Sequence, residues 1–525
     1  MASQVSNATY KFGILAVEES LLTQNATAAD TTLHVSGNYM TNAPFVVGNT
    51  YLLQDQTFAS GSANALPNCE KVQVSDITGL TAVAKADGIG YNVSGTITIL
   101  GWTGSAWSGG LVNSYATASS ASVLTPGMEI AIQSSDFNCR FKTITDTPKY
   151  TPDDEASRFA SGDEGRDLAI QGERTGEISF TEKMSYAGAG VLPKYNKIFR
   201  ATGHLIKRYA TAAPTGVGFL PSPYANETTA TVWIITPENG MNPSSTIYRY
   251  RGCHGGNGCT IGWSKVGDVY MMNMKLSGAY VGTTEITVLK ARELTSPDTA
   301  VPEVALNNKV LVTTIYGAAV TQPGTPYATV AALVTAASLS TGSRFYSTDG
   351  IDNADGSLAT AKGSALKIGD AFTVTSSSTC TYASPGQNLL ISSLSLDMGG
   401  VVNPLYDQNT TTGAAYFVTT DRDPKLTINP IHQNKTQDDL DFMVTNMIEG
   451  QIRSYSNQNA PHITIDIPRA QLTGFSKAAR EGFEATNRTY KLNRNSTTSG
   501  NTGSGAMNSV LPDYAMYEIL LGTRT

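Results

Sequence analysis

Apolar and polar residues alternate along this chain in short runs, each closed within a few residues by Gly, Asn, Ser or Pro. TTLHVSG (31–37), NTYLLQD (49–55), EKVQVSDI (70–77), GTITILGW (95–102), STIYRYRGC (245–253) and HITIDIPRAQLTGF (462–475) are examples. Period two is the pattern of a strand with one face in a core, and the punctuating residues are those of tight turns. Charged residues are only 15% of the chain, and Ser, Thr, Asn and 49 glycines carry the polar burden instead. Thr suits strands and Gly and Asn close hairpins, so the expected class is mainly β. A hydrophobic share of 40% is enough to build cores. A chain of 525 residues should divide into two to four domains.

One order of residue types occurs twice. Glu173-Arg174-Thr175-Gly176-Glu177-Ile178-Ser179-Phe180 runs acid, arginine, turn, then alternating apolar and hydroxyl positions. About 250 residues later, Asp421-Arg422-Asp423-Pro424-Lys425-Leu426-Thr427-Ile428 repeats it. The pairs Arg174/Arg422, Ile178/Leu426 and Phe180/Ile428 are the matched positions. Each copy is followed by helical spacing. In 194–202, Tyr195, Ile198 and Phe199 share a face and Gly203 offers a stop. In 437–449, Thr436 and Asp439 resemble a capping box ahead of Leu440, Met443, Val444, Met447 and Ile448. A strand unit with one helix, used twice, points to duplication of a building block and to assembly.

Between the strand runs lie stretches of a different kind. Residues 141–172 have no sustained period and hold Pro152, the acidic run Asp153-Asp154-Glu155 and the charged Asp163, Glu164 and Arg166. They read as a loop or as an extended arm touching a neighbour. Residues 293–307 read as a linker, and 320–388 as an Ala/Ser/Thr/Gly-rich decoration with one clear strand, DAFTVTS.

The chemistry-bearing residues form no catalytic signature. Cys253-His254-Gly-Gly-Asn-Gly-Cys259 has no second Cys/His pair at zinc spacing, and a buried thiol beside a glycine turn explains it. Asp349 to Gly356 resembles a calcium loop only superficially, since Ile351 falls on the first ligand position. His34, His204, His254, His432 and His462 are scattered. No cofactor, metal or enzymatic activity is expected. Five cysteines set no disulfide framework, the N-terminus lacks a secretory signal, and no run reaches the ~18 apolar residues of a spanning helix. A net charge of −7 argues against nucleic-acid binding through a basic stripe, but is compatible with a wall that DNA slides past.

Three segments carry a family resemblance. SLSLDMGGVVNPLYDQNTTTGAAYFVTTDRDPKLTINP, RGCHGGNGCTIGWSKVGDVYMMNMKLSGAYVG, and GERTGEISFTEKM with the helix at 194–202 resemble the tail tube proteins of long-tailed bacteriophages. Residues 27–135 are similar to the small β modules inserted in phage virion proteins. The resemblance implies a β-sandwich or half-barrel with a flanking helix, used twice in tandem. On that plan, 1–26 with 136–295 form one tube-like domain and 296–319 with 389–525 the other. The module at 27–135 and the segment 320–388 are insertions outside the tube.

The implied role is structural. Homotrimers would make pseudo-hexameric rings that stack into a tube in the virion tail, passing DNA and the tape-measure protein without sequence-specific binding. The tail terminator and baseplate proteins would cap its ends, and no membrane is involved. Loops 141–172 and 399–420 would bridge successive rings, the first through Asp153, Asp154, Glu155, Asp163, Glu164 and Arg166. Two alternatives remain: a distal tail or baseplate hub protein of the same fold, and a carbohydrate-binding adhesin whose inserted β modules recognise the glycan.

Overall fold

The fold is that of a computed structural model. It describes residues 12–59, 67–85, 90–131, 143–153, 170–184, 192–193, 195–209, 215–222, 228–236, 245–256, 258–264 and 270–286. Beyond these it describes the strands at 311–316, 344–348, 365–368, 372–376, 379–382 and 387–389, then 391–430, 448–455, 462–480, 482–494 and 514–523. The architecture is mainly β, as the alternation requires.

The chain opens with β1 (Phe12–Val17) and turns at Glu18 into a closed barrel. Its strands are β2 (Glu19–Leu22), β3 (Thr32–Tyr39), β4 (Thr50–Gln54), β6 (Cys69–Asp76), β8 (Tyr91–Gly101) and β9 (Ser122–Leu124). They pair in the cycle β2–β3–β8–β6–β4–β9–β2, all antiparallel. Closure removes the open edges that a small sheet must otherwise protect. Two short strands lie outside the cycle: β5 (Thr57–Ala59), and β7 (Leu80–Ala84), which lines β8. Leu33, Val35, Leu53, Val72, Val74, Ile97, Ile99 and Val123, the inward halves of the alternating runs, fill the interior. The barrel recruits β2 ahead of residue 27, where the sequence pattern begins its module. MEIAIQSS is not a strand in its described part: Ile130 makes a single bridge to Tyr39.

The next strands are β10 (Thr143–Asp153) and β11 (Ile170–Lys183). After them come the helix α1 (Asn196–Ala201) and β12 (His204–Tyr209), β13 (Thr215–Pro221), β14 (Ala230–Thr236), β15 (Ser245–Gly255), β16 (Thr260–Trp263) and β17 (Met271–Ile286). The expectation of a loop over 141–172 is therefore corrected at both ends. Pro148 and Pro152 hid β10 from a propensity reading, yet β10 pairs with β11 along its length. Proline is tolerated in a strand that lies at a sheet edge.

The middle of the chain supplies β18 (Leu311–Tyr316), β19 (Arg344–Thr348), β20 (Ala365–Ile368), β21 (Phe372–Ser376), β22 (Thr379–Tyr382) and β23 (Gln387–Leu389). Strands β18, β19, β21 and β22 form a sheet of their own. The last part contains β24 (Ile391–Asp397), β25 (Gly400–Tyr406), β26 (Ala414–Arg422), β27 (Lys425–Pro430), β28 (Ile448–Tyr455), β29 (His462–Arg480), β30 (Phe483–Leu492) and β31 (Glu518–Thr523). Ile448, expected near the end of a helix over 437–449, instead opens β28; residues 437–447 lie outside the described residues.

The two halves of the chain are woven into one ladder. It runs β10–β11–β17–β16–β24–β27–β30–β29–β31–β13–β12, with β5 of the barrel segment added in parallel to β12. Strands β15, β14 and β1 branch in turn from β17, and β28, β20 and β23 extend in turn from β29. Register explains the common core. Met272, Ile261, Leu396, Leu426, Tyr490 and Leu472 are successive cross-strand partners, and all are buried. One hydrophobic cluster takes in residues from Leu15 to Leu521.

Strand pairing crosses the boundaries expected between tandem domains. β12 and β13 complete the ladder of β29 and β31, while β18 pairs with β19 of the 320–388 segment. The helix at 194–202 is present as α1 and buries Ile198, Phe199 and Ala201 against this core. Phe199 stacks on Phe219 with ring centres 4.0 Å apart. Each such side chain contributes about 1.5–3 kcal/mol by leaving water.

Candidate functional site

Two surfaces among the described residues could contact other molecules. The first is the ladder end formed by β10, β11 and β17. Its outward positions carry charge: Glu177 on β11 bridges Lys149 of β10 at 3.1 Å and Lys275 of β17 at 3.0 Å. Hydrogen bonds from Lys275 and Lys149 hold the Glu177 carboxyl below its ordinary range. Among the described residues, β10 pairs along its length with β11. A strand at a sheet edge is a template for pairing with another chain.

The second surface is the hairpin of β25 and β26, a two-stranded sheet laid across β15 and β17. It occupies 400–422, where a ring-bridging loop over 399–420 was expected. Ala414 and Phe417 pack against Ala279 beneath it. The approach is close enough to demand glycine in the sheet below. Gly252 has φ +56°, and a Cβ there would lie 2.5 Å from Cα of Tyr416. Thr412 ties the turn down, its carbonyl accepting from the Arg174 amide and its hydroxyl from the Arg251 guanidinium. Outward, β25 exposes Val401, Leu405 and Tyr406, and the barrel exposes Val46, Val47, Val83, Trp102 and Val112. Trp102 and Trp107 face each other across a turn with ring centres 5.0 Å apart.

The residues singled out from sequence fall unevenly on these surfaces. Asp153 ends β10 opposite Ile170, while Asp154, Glu155, Asp163, Glu164 and Arg166 lie outside the described residues. The two octapeptides do not occupy equivalent positions. Arg174, Ile178 and Phe180 lie in the single strand β11, with Ile178 and Phe180 buried. The second copy is broken: Arg422 ends β26 in the hairpin sheet, and Leu426 and Ile428 are buried in β27 of the main ladder. Pro424 causes the difference, since it cannot donate to a ladder that Thr175-Gly176 continue.

Arg422 has a role of its own. Its guanidinium is enclosed, and Nη2 donates at 3.2 Å to the carbonyls of Thr202 and Gly203 at the end of α1. A cation suits those carbonyls because they lie at the negative end of the helix, where Gly203 also accepts from the Ser222 amide. His204 is enclosed beside it, bonded through Nε2 to the Tyr517 hydroxyl at 2.8 Å and through Nδ1 to Thr202 Oγ1 at 3.0 Å. Burial, reinforced by Arg422, holds this imidazole neutral.

Cys253 and Cys259 are buried free thiols, and burial raises both. Among the described residues no group of three or more metal-ligating side chains converges, and no helix is long and apolar enough to cross a membrane. No protein-family model matches the chain, and no curated protein matches it.

Proposed function

We propose that this protein is a structural subunit of a long-tailed bacteriophage tail tube. In this reading, copies assemble into rings and the rings stack around a channel for DNA. The observation that carries it is the long antiparallel ladder β17–β11–β10, whose 11-residue β10 pairs along its length with β11. A head-to-tail contact between sheet edges of neighbouring copies closes under rotation into a ring. The segments that resemble tail tube proteins supply β11, β16, β17, β24 and β27 of the ladder, with α1 and the hairpin on its face.

Three chains per ring is the stoichiometry that the resemblance implies, with both halves of each chain supplying ladder surface. The barrel would decorate the outside, and the exposed face of β25 would meet the next ring. A tail terminator, baseplate proteins and a tape-measure protein would be its partners in the virion. The net charge of −7 suits a channel wall that repels phosphate.

Antibodies against the purified chain test this on tailed particles that contain it. Label along the whole tail is expected. Label confined to the tip would instead favour the hub alternative, in which one ring is present. Glycan binding lost with Trp102→Ala would favour the adhesin alternative.

A further inference from the structure

The barrel is mounted on the main sheet through three carboxylates, and one of them differs in kind. Glu19 is paired with Arg200 of α1 at 2.5 Å, and Glu129 with Arg249 of β15 at 3.0 Å. Glu18, the single residue between β1 and β2, is fully buried. It accepts four hydrogen bonds, all from neutral groups. Oε2 takes the Gly127 amide at 2.6 Å and the Thr229 hydroxyl at 2.5 Å. Oε1 takes the Gly252 amide at 2.7 Å and the Thr231 hydroxyl at 2.8 Å. These donors come from the segment leaving the barrel, from β14 with the residue before it, and from β15.

Among the described residues, the groups around Glu18 offer no positive charge. From the barrel side come Tyr39 and Glu19, and from β15 the Cys253 thiol, whose own ionisation Glu18 opposes. β14 presents only threonines. Arg251, next to Gly252, turns away to Thr412 and Glu129. An ionised carboxylate enclosed with dipoles but without a cation is costly, and the protonated form relieves that cost. The hydroxyls of Thr229 and Thr231 can rotate to accept the added proton.

We propose that Glu18 is a proton-operated latch, which takes up a proton as the medium passes from mildly alkaline to mildly acidic and thereby tightens the barrel on the sheet. Burial pushes this carboxyl up to about 7 against the pull of its four donors. The folded chain thus holds the proton more firmly than the unfolded chain. The contribution of Glu18 to stability is greatest at low pH and falls as pH rises from the ordinary glutamate range through about 7. Glu129, raised by burial against Arg249 and Arg251, works in the same direction. The latch is independent of what the assembled protein does.

Infrared difference spectra of the full chain between about pH 6 and about pH 8 provide the test. A protonated-carboxyl band should be gained at the lower pH and be lost in Glu18→Gln. Thr229→Val removes one donor to the charged form, so the midpoint of that band should shift upward. Should Glu18→Gln fail to fold, the Thr229→Val shift decides. No such band in the wild-type chain, or a band whose midpoint Thr229→Val leaves in place, would overturn the proposal.

Discussion

Glu19 and Arg200 stand 181 positions apart, yet their side chains meet at 2.5 Å with both largely buried. Glu19 also accepts from Gln56 and Ser122, so removing Arg200 strands a desolvated charge. A double-mutant cycle on Glu19→Gln and Arg200→Ala should give a coupling of about 0.5–3 kcal/mol in denaturant unfolding; additivity would mean that the pair does not hold the barrel. Arg422→Ala should cost about 1–3 kcal/mol by removing the buried donor to the Thr202 and Gly203 carbonyls, read from the same unfolding curves. None of these partners was legible in the sequence. Glu18, Glu19 and Arg422 acquire their meaning from strands that only the fold brings together, and a local pattern carries no record of that. What was legible was burial: Ile178, Phe180, Leu426 and Ile428 alternate as core residues and are core residues.

Strands with clean alternation, such as β3, β8, β15 and β29, coincide with runs read directly from the residues. Those missed have physical excuses. β5 and β9 are three residues long, β10 carries two prolines, and β30 (FEATNRTYKL) is too polar to announce a buried face. Tertiary pairing makes each of them a strand, overriding weak local preference.

The seam of β16 and β24 joins the halves of the chain, and it depends on Gly262. A Cβ there would fall 1.9 Å from the carbonyl oxygen of Leu394. Gly262→Ala should therefore force the two strands apart and cost about 1–3 kcal/mol. Leu396→Ala, in the middle of the same buried row, should cost about 2–5 kcal/mol. If both substitutions left the unfolding midpoint unchanged, the halves would not share the core described above.

The whole molecule combines a closed six-stranded barrel with a long ladder drawn from both halves of the chain. The class was legible because period-two patterning dominates the chain, but the weave of the two halves was not. An order of residue types says nothing about which distant strand becomes a neighbour, and the repeated octapeptide gave no sign that strands of both halves pair in one ladder. Assembly is the central functional claim, and edge pairing is the physics behind it. Negative-stain electron microscopy of the purified full chain at increasing concentration measures it most directly. Hollow rings or tubes are predicted; separate single-chain particles at every concentration would contradict the account.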